Sequence, residues 1–311
     1  MHNTHRLLTL AVASAFTAAC GGSGSSTGTG DPGQEGLNPT SQEVVIPFQA
    51  HAAGTAIACD QPLYGLGLSG TEARLTDFAL FVHDVRLVAD DGTEIQLELE
   101  QSPWQFENVA LLDFQNRGDF CLGADKPMNH EVRGTAAYDS AATTIAGLRF
   151  TVGVPHDLNH IDASTAPSPL NRTPMFWNWQ GGYKFMRFDV EPVGGILRPS
   201  DPEFSGSRWN FHLGSTGCTG DPAVGETVSC LHPNRVDVAL DGFYPEQSHV
   251  NIDYARLVES SNLGIDDGGA AGCMSGTGDP ECGPVFQQLG IALGDGPEPS
   301  LPQAVFTVGQ N

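Results

Sequence analysis

Trp177 and Trp179 stand two residues apart in the run Pro174-Met175-Phe176-Trp177-Asn178-Trp179-Gln180-Gly181-Gly182-Tyr183-Lys184-Phe185. If this run is extended, Met175, Trp177 and Trp179 share one face, because strand side chains repeat every second residue. A thioether, two indoles and a nearby phenol then lie together. Taken alone, the run reads as a core aromatic stripe with methionine filling gaps. Two histidines widen the reading. His160 closes GVPHDLNH (153–160), and His212 sits in WNFHLGSTGC (209–218). On a strand, His212 faces away from Phe211 and Leu213. A lone histidine is more often a hydrogen-bonded structural residue than a ligand. Two of them near a methionine and indoles suit Cu(I), which favours soft sulfur and imidazole donors. His51, His83, His130, His156, His232 and His249 also carry suitable nitrogens, so spacing alone does not choose among them.

Other chemistries find less support. G-x-S-x-G, H-E-x-x-H and a P-loop are all missing. No nucleophile, base and orienting group fall together, so the chain is not expected to be an enzyme itself. Asp-Gly pairs at 91–92, 241–242, 267–268 and 295–296 hint at calcium. The alternating ligand ladder of a calcium loop is incomplete, and turn chemistry is the better reading for each.

The elements that must position these residues begin after an export signal. Leu7 to Ala19 is an apolar run too short to span a membrane, and Thr17-Ala18-Ala19 precedes Cys20. Residues 1–20 therefore read as a lipoprotein signal with Cys20 as the acylated residue. The expected location is the periplasm, with the chain held to the outer membrane by that lipid alone. Residues 21–42 are a Gly/Ser/Thr tether without apolar periodicity. Of seven cysteines, those beyond Cys20 are even in number, which in an exported chain means disulfides. Cys59–Cys121, Cys218–Cys230 and Cys273–Cys282 are the expected pairs, the last two closing short Gly/Asp/Pro-rich loops. A formal charge of −23, from 37 acidic and 14 basic residues, disfavours nucleic acid and anionic membranes as partners. It suits a cationic partner face.

From residue 43 to 311 the pattern is mainly β. Val44, Ile46 and Phe48 alternate, and Phe78 to Val88 reads as a strand with a bulge near His83-Asp84. Asp90-Asp91-Gly92 then turns the chain into Ile95, Leu97 and Leu99, a hairpin. Further strands are expected at 131–138, 147–153, 183–191, 208–213, 235–240 and 248–253, with short helices at 253–260 and 284–290. Short strands between turn residues predict an antiparallel β-sandwich or barrel-like domain with long loops and few short helices. The stretch from about 264 reads as an extension stapled to that domain.

At this point the chain resembles a family. Leu75-Thr76-Asp77-Phe78 with Val82 to Leu87, Val109 to Phe114, Gly153-Val154-Pro155 with Asn159-His160, and Ser168-Pro169-Leu170-Asn171 are similar to MbnP-like proteins, the four-Cys metallo-mystery pair system. Met175 to Trp179 with Gly182 to Phe185, Phe211 to Cys218, and Gly272-Cys273-Met274-Ser275 continue the match in the same order. The resemblance spans roughly residues 44–291. It implies a partner, an MbnH-like dihaem protein of the cytochrome c peroxidase family. It also implies that the first Trp of the W-x-W, here Trp177, is oxidised to kynurenine, after which the protein binds one copper as Cu(I) and serves copper homeostasis. An indole nitrogen only donates, whereas kynurenine offers an aryl amine and a ketone. The implied ligands are His160, His212 and modified Trp177. Met175 or Met274 could add a thioether, and His51 on the first strand is the reserve. Six cysteines after Cys20 depart from a four-Cys pattern, with Cys273 and Cys282 as the additional pair. The alternative is a calcium- or glycan-binding surface sandwich, in which exposed aromatics around Trp177 and Trp179 form a sugar platform.

Overall fold

The computed structural model describes residues 39–119, 121, 124–178 and 180–311. The expected lipoprotein signal with Cys20, the tether as far as residue 38, and Trp179 lie outside them. Strand β1 (Thr40–Ala52) buries Val44, Ile46, Phe48, Ala50 and Ala52. That is the period-2 pattern of a strand covered on one face. It starts inside the segment read as a tether, because Thr40, Ser41 and Gln42 pair with Tyr138, Ala137 and Ala136.

β1 lies within an open sheet between Glu131–Tyr138 and Ser248–Asp253, with Phe306–Gln310 and Glu98–Leu99 outermost. A larger sheet is built on β2 (Thr71–Ala89), where Phe78 to His83 are all buried. A strand covered on both faces reads as such a continuous run. β2 is flanked by β3 (Ile145–Val152) and β4 (Met186–Pro192), and β4 in turn by β5 (Trp209–Leu213). The two sheets meet through Phe150 of β3, whose ring lies edge-on to Phe48 and to Phe306, each at 5.7 Å. The fold is thus a sandwich of open sheets and not a closed barrel. Pairing is mostly antiparallel. The exceptions among the described residues are β1 with Ser248–Asp253, β5 with Gly272–Cys273 and the isolated bridge of Leu197 with Ile265, all parallel.

Several local expectations are met. Asp84 has φ 52°, and the β2–β3 register shifts beside it, so the bulge is real. Gly92 has φ 87° in the turn, and Asp91 accepts the Thr93 N–H at 2.8 Å. That Asx turn leads β2 into Glu94–Gln96. The three expected disulfides form. Short helices occupy Tyr254–Leu257 and Cys282–Gln288, the first capped by Asp253 accepting two backbone N–H groups.

The run 174–185 differs from expectation. Thr173–Met175 is a 3-10 turn with Pro174 inside it, and only Phe176–Asn178 is strand, paired with Gly182–Tyr183. Met175 therefore does not alternate with Trp177 along one strand. Proline holds φ near the helical value and removes a ladder donor, which favours the turn over the strand at this point.

Candidate metal centre

Four segments converge at one end of the larger sheet. The first is helix α1 (His156–Asn159), which follows Pro155. Asn159 is fully buried and acts as a hub. Its Oδ1 accepts the Tyr183 N–H at 3.0 Å, and its Nδ2 lies 3.0 Å from His160 Nε2 and 3.5 Å from Ser215 Oγ. Gly182 is required beside it. Its φ is +76°, and a Cβ there would stand 2.6 Å from the Asn159 amide nitrogen and carbonyl oxygen.

The second segment carries Trp177, half-buried in the Phe176–Asn178 hairpin. Its ring packs on the backbone of Gly214. A Cβ on Gly214 would overlap Cζ3 and stand 2.8 Å from Cη2 and from the Tyr183 carbonyl. Gly181 is also near the indole, where a Cβ would be in ordinary contact with Cε3 at 3.5 Å.

The third segment is β5. Phe211 and Leu213 enter the core, and His212 takes the opposite face, as alternation predicts. Gly214, just past the end of β5, offers its Cβ direction to Trp177, so the indole is seated at the end of the strand that carries His212. His212 Nε2 is 2.9 Å from Asp189 Oδ1, and Asp189 is fully buried on β4. Arg187 donates from Nε to the other Asp189 oxygen at 2.7 Å and pairs with Asp77 at 2.7 Å. Burial lowers the His212 pKa, outweighing the upward pull of Asp189. Burial also pushes Asp189 upward, but the hydrogen bond from His212 and the Arg187 charge hold it below the ordinary carboxylate value. A neutral imidazole beside an ionised carboxylate carries its proton on Nε2, leaving the Nδ1 lone pair for a ligand. Metal-binding histidines almost always donate their other ring N–H to an outer acceptor, a carboxylate, a backbone carbonyl or water. The donor set therefore fits a soft metal ion.

The fourth segment is Gly272-Cys273-Met274-Ser275. Ser275 Oγ donates to the His212 carbonyl at 2.9 Å and accepts the Gly214 N–H at 3.1 Å, clamping the end of β5. Met274 is half-buried next to this clamp.

The remaining expected ligands fall elsewhere. Met175 is buried and lines a cavity of about 40 Å³ with Asp77, Asp113, Lys126 and Arg172. His51 lies on β1 in the other sheet, in register with Asp253 and Ala56. Nearby, Lys184 donates to the Pro174 carbonyl at 2.8 Å, and burial with Arg187 repulsion lowers its pKa to about 8. Asn159, Asp189 and Ser275 were not foreseen as site residues. Asn159 stands in the Asn159-His160 motif and Ser275 in Gly272 to Ser275, whereas nothing local in the sequence marks Asp189.

His160 has a second setting. Its Nε2 is 3.5 Å from Cys230 Sγ, and the His160, Cys218 and Cys230 donor atoms all lie within 4.8 Å of one another. The two sulfurs are bonded to each other, so they present no thiolate. Among the described residues this is the one cluster of three or more His, Cys, Asp or Glu donors at metal-binding spacing.

The sequence model of the MbnP family matches residues 41–275. The solved structure of MbnP from Methylosinus trichosporium is similar to this chain with a TM-score of 0.79 and 36% identity, over 87% of this chain and 99% of that one. No curated protein matches the chain.

Proposed function

This chain belongs to the MbnP family, and from that membership we propose that it carries copper as Cu(I) outside the cytosol, at a site completed by oxidation of Trp177. His212 and His160 bind the ion together with the kynurenine made from Trp177. Copper here is cargo, held for homeostasis, and the chain itself is the substrate of its own maturation. The observation that carries the reading is His212. Its Nε2 stands 2.9 Å from Asp189, burial lowers its pKa and so favours the neutral ring, and its strand ends at Gly214, on which the Trp177 indole is seated. A soft, low-coordinate ion suits imidazole and aryl-amine donors.

The maturation adds two oxygen atoms across the C2–C3 bond of the indole. Hydrolysis then releases formate, leaving the aryl amine and ketone of kynurenine. A dihaem partner of the peroxidase class would supply the oxidising equivalents from peroxide. Trp177 is half-buried and not sealed, so an oxidising protein can dock within reach of it. A lipid on Cys20 would hold the domain at the outer membrane.

The test is co-expression with a dihaem partner, followed by peptide mapping and copper quantification on the same sample. The Trp177 peptide should gain one oxygen and lose one carbon, and only that fraction should hold Cu(I). Trp177→Phe should fold, escape modification and lose the copper. Tight Cu(I) binding by the Trp177→Phe protein would overturn the reading.

A further inference from the structure

One of the three disulfides differs from the others in its surroundings. Cys59, Cys121, Cys273 and Cys282 are each no more than 4% exposed. Cys218 and Cys230 are half-buried instead. They stand directly opposite each other on β6 (Thr216–Thr219) and β7 (Ser229–His232), a two-stranded ribbon that belongs to neither main sheet. A reductant therefore reaches this pair before the two that are packed into the core.

Helix α1 lies against the ribbon. His160 Nε2 is already 3.5 Å from Cys230 Sγ, and the three donor atoms sit within 4.8 Å of one another. That nitrogen accepts from the Asn159 Nδ2 at 3.0 Å, a hydrogen bond it exchanges for the ion on binding. His156, one turn earlier, has its ring centroid 6.0 Å from that of His160. Its Nε2 is 3.1 Å from the carbonyl of Val228, two residues before Cys230. With Nε2–H donated to that carbonyl, Nδ1 of His156 keeps a lone pair.

We propose that reductive opening of Cys218–Cys230 arms a second metal site, in which the two thiolates and His160, with His156 as fourth ligand, hold a soft tetrahedral ion of the Zn²⁺ or Cu⁺ class. Two sulfurs and two imidazoles are a common donor set for such ions. Metal–sulfur bonds of about 2.3 Å place the two sulfurs of a tetrahedral site about 3.8 Å apart. Side-chain rotation on two directly facing residues supplies that separation. The chemistry balances with a dithiol as reductant. It delivers two electrons and two protons, the Sγ–Sγ bond breaks to give two thiols, and the dithiol closes to its own disulfide. The thiols then release their protons when the ion binds. Neither Trp177 nor its oxidation enters this site, so it stands apart from the copper reading, although His160 is common to both.

The experiment uses the full-length chain made without any haem partner, so that Trp177 is unmodified. Dithiothreitol is titrated in, free thiols are alkylated, and the peptides are mapped. After anaerobic removal of the reductant, Cd²⁺ is added and the ultraviolet thiolate-to-metal charge-transfer band is followed. Cys218 and Cys230 should be alkylated at reductant concentrations at which the other four cysteines are not, and one Cd²⁺ should bind per chain. Cys218→Ser/Cys230→Ser should abolish the band. His160→Ala and His156→Ala, which leave every cysteine in place, should each weaken binding about tenfold or more. Simultaneous opening of all three disulfides would overturn the proposal, as would loss of near-ultraviolet dichroism when Cys218–Cys230 alone opens. Thiols without a charge-transfer band, or unchanged affinity in both histidine variants, would overturn it equally.

Discussion

Asp189→Asn tests whether the copper reading depends on the tautomer of His212. Asp189 Oδ1 receives the His212 Nε2–H at 2.9 Å, and Oδ2 receives Arg187 Nε at 2.7 Å. Arginine has no acceptor. The single oxygen of an asparagine side chain must therefore turn to Arg187, and its NH₂ must face His212 Nε2. The imidazole can meet that NH₂ only by accepting, which moves its proton to Nδ1, the nitrogen that was to bind copper. The opposite orientation places an amide donor against the guanidinium. Loss of an outer carboxylate typically weakens metal binding 10- to 100-fold, about 1.4–2.7 kcal/mol. Arg187 keeps Asp77 at 2.7 Å, so the expected stability loss of about 1–3 kcal/mol leaves most domains of this size folded. The affinity is measured by Cu(I) competition against a chelator, using protein that carries kynurenine at position 177. The tautomer is read from the ¹⁵N shifts of His212 in the copper-free protein. A folded variant with wild-type affinity, or one whose His212 keeps its proton on Nε2, would refute the argument.

Three further outcomes follow from the geometry. Gly214→Ala should drive the Trp177 ring off its seat, because the new methyl overlaps Cζ3 and the Tyr183 carbonyl at 2.8 Å cannot yield. A destabilisation of about 1–3 kcal/mol in urea unfolding, with a shift in tryptophan emission, checks it. Asn159→Ala should cost about 1–3 kcal/mol by orphaning the Tyr183 N–H and releasing His160, and unchanged stability would show that Asn159 is not the hub. His83 gives a pH signature. Burial lowers its pKa from 6.5 to about 4, and among the described residues its Nε2 has no hydrogen-bond partner. Above pH 6.5 both folded and unfolded chains carry it neutral and nothing changes. As pH falls from 6.5 towards 4 the unfolded chain takes the proton first, so stability drops by up to about 3 kcal/mol. The difference between wild type and His83→Gln in urea midpoint across that window isolates the effect, and parallel curves would exclude it.

What was legible in the sequence was what repeats over short range. Val44, Ile46 and Phe48 alternate in the chain and are buried alternately in β1, and Glu131–Tyr138 has the bounds its pattern predicts. Cys218 and Cys230 close a short loop and pair across a ribbon. Periodicity names the face of a residue without naming what stands opposite. For that reason alternation places His212 off the core side of its strand, while nothing marks Asp189, since the carboxylate gains its meaning only from a partner 23 residues away. Likewise His51 was placed on the first strand, but alternation does not say which sheet that strand joins. The run 174–185 defeated the alternation argument for a backbone reason. Pro174 sits in a turn and Gly182 has φ +76°, so residues two apart no longer share a face. Trp177 is instead positioned by the missing side chain of Gly214, a contact between distant segments.

The sequence motifs act here as half-sites. Asn159-His160 supplies an amide that must find Ser215, 56 residues on. The turn after β5 supplies a glycine that must receive Trp177, and Ser275 locks that turn from 61 residues away. Each half is locally rigid and chemically incomplete. The two disulfides nearest the site work on the same scale, since Cys218–Cys230 holds the ribbon against His160 and Cys273–Cys282 holds the segment that ends in Ser275. For copper binding, the staples matter chiefly by fixing these long-range meetings. Opening the exposed staple should therefore disturb His160 first and leave the Asp189–His212 pair, deeper in the sheet, in place.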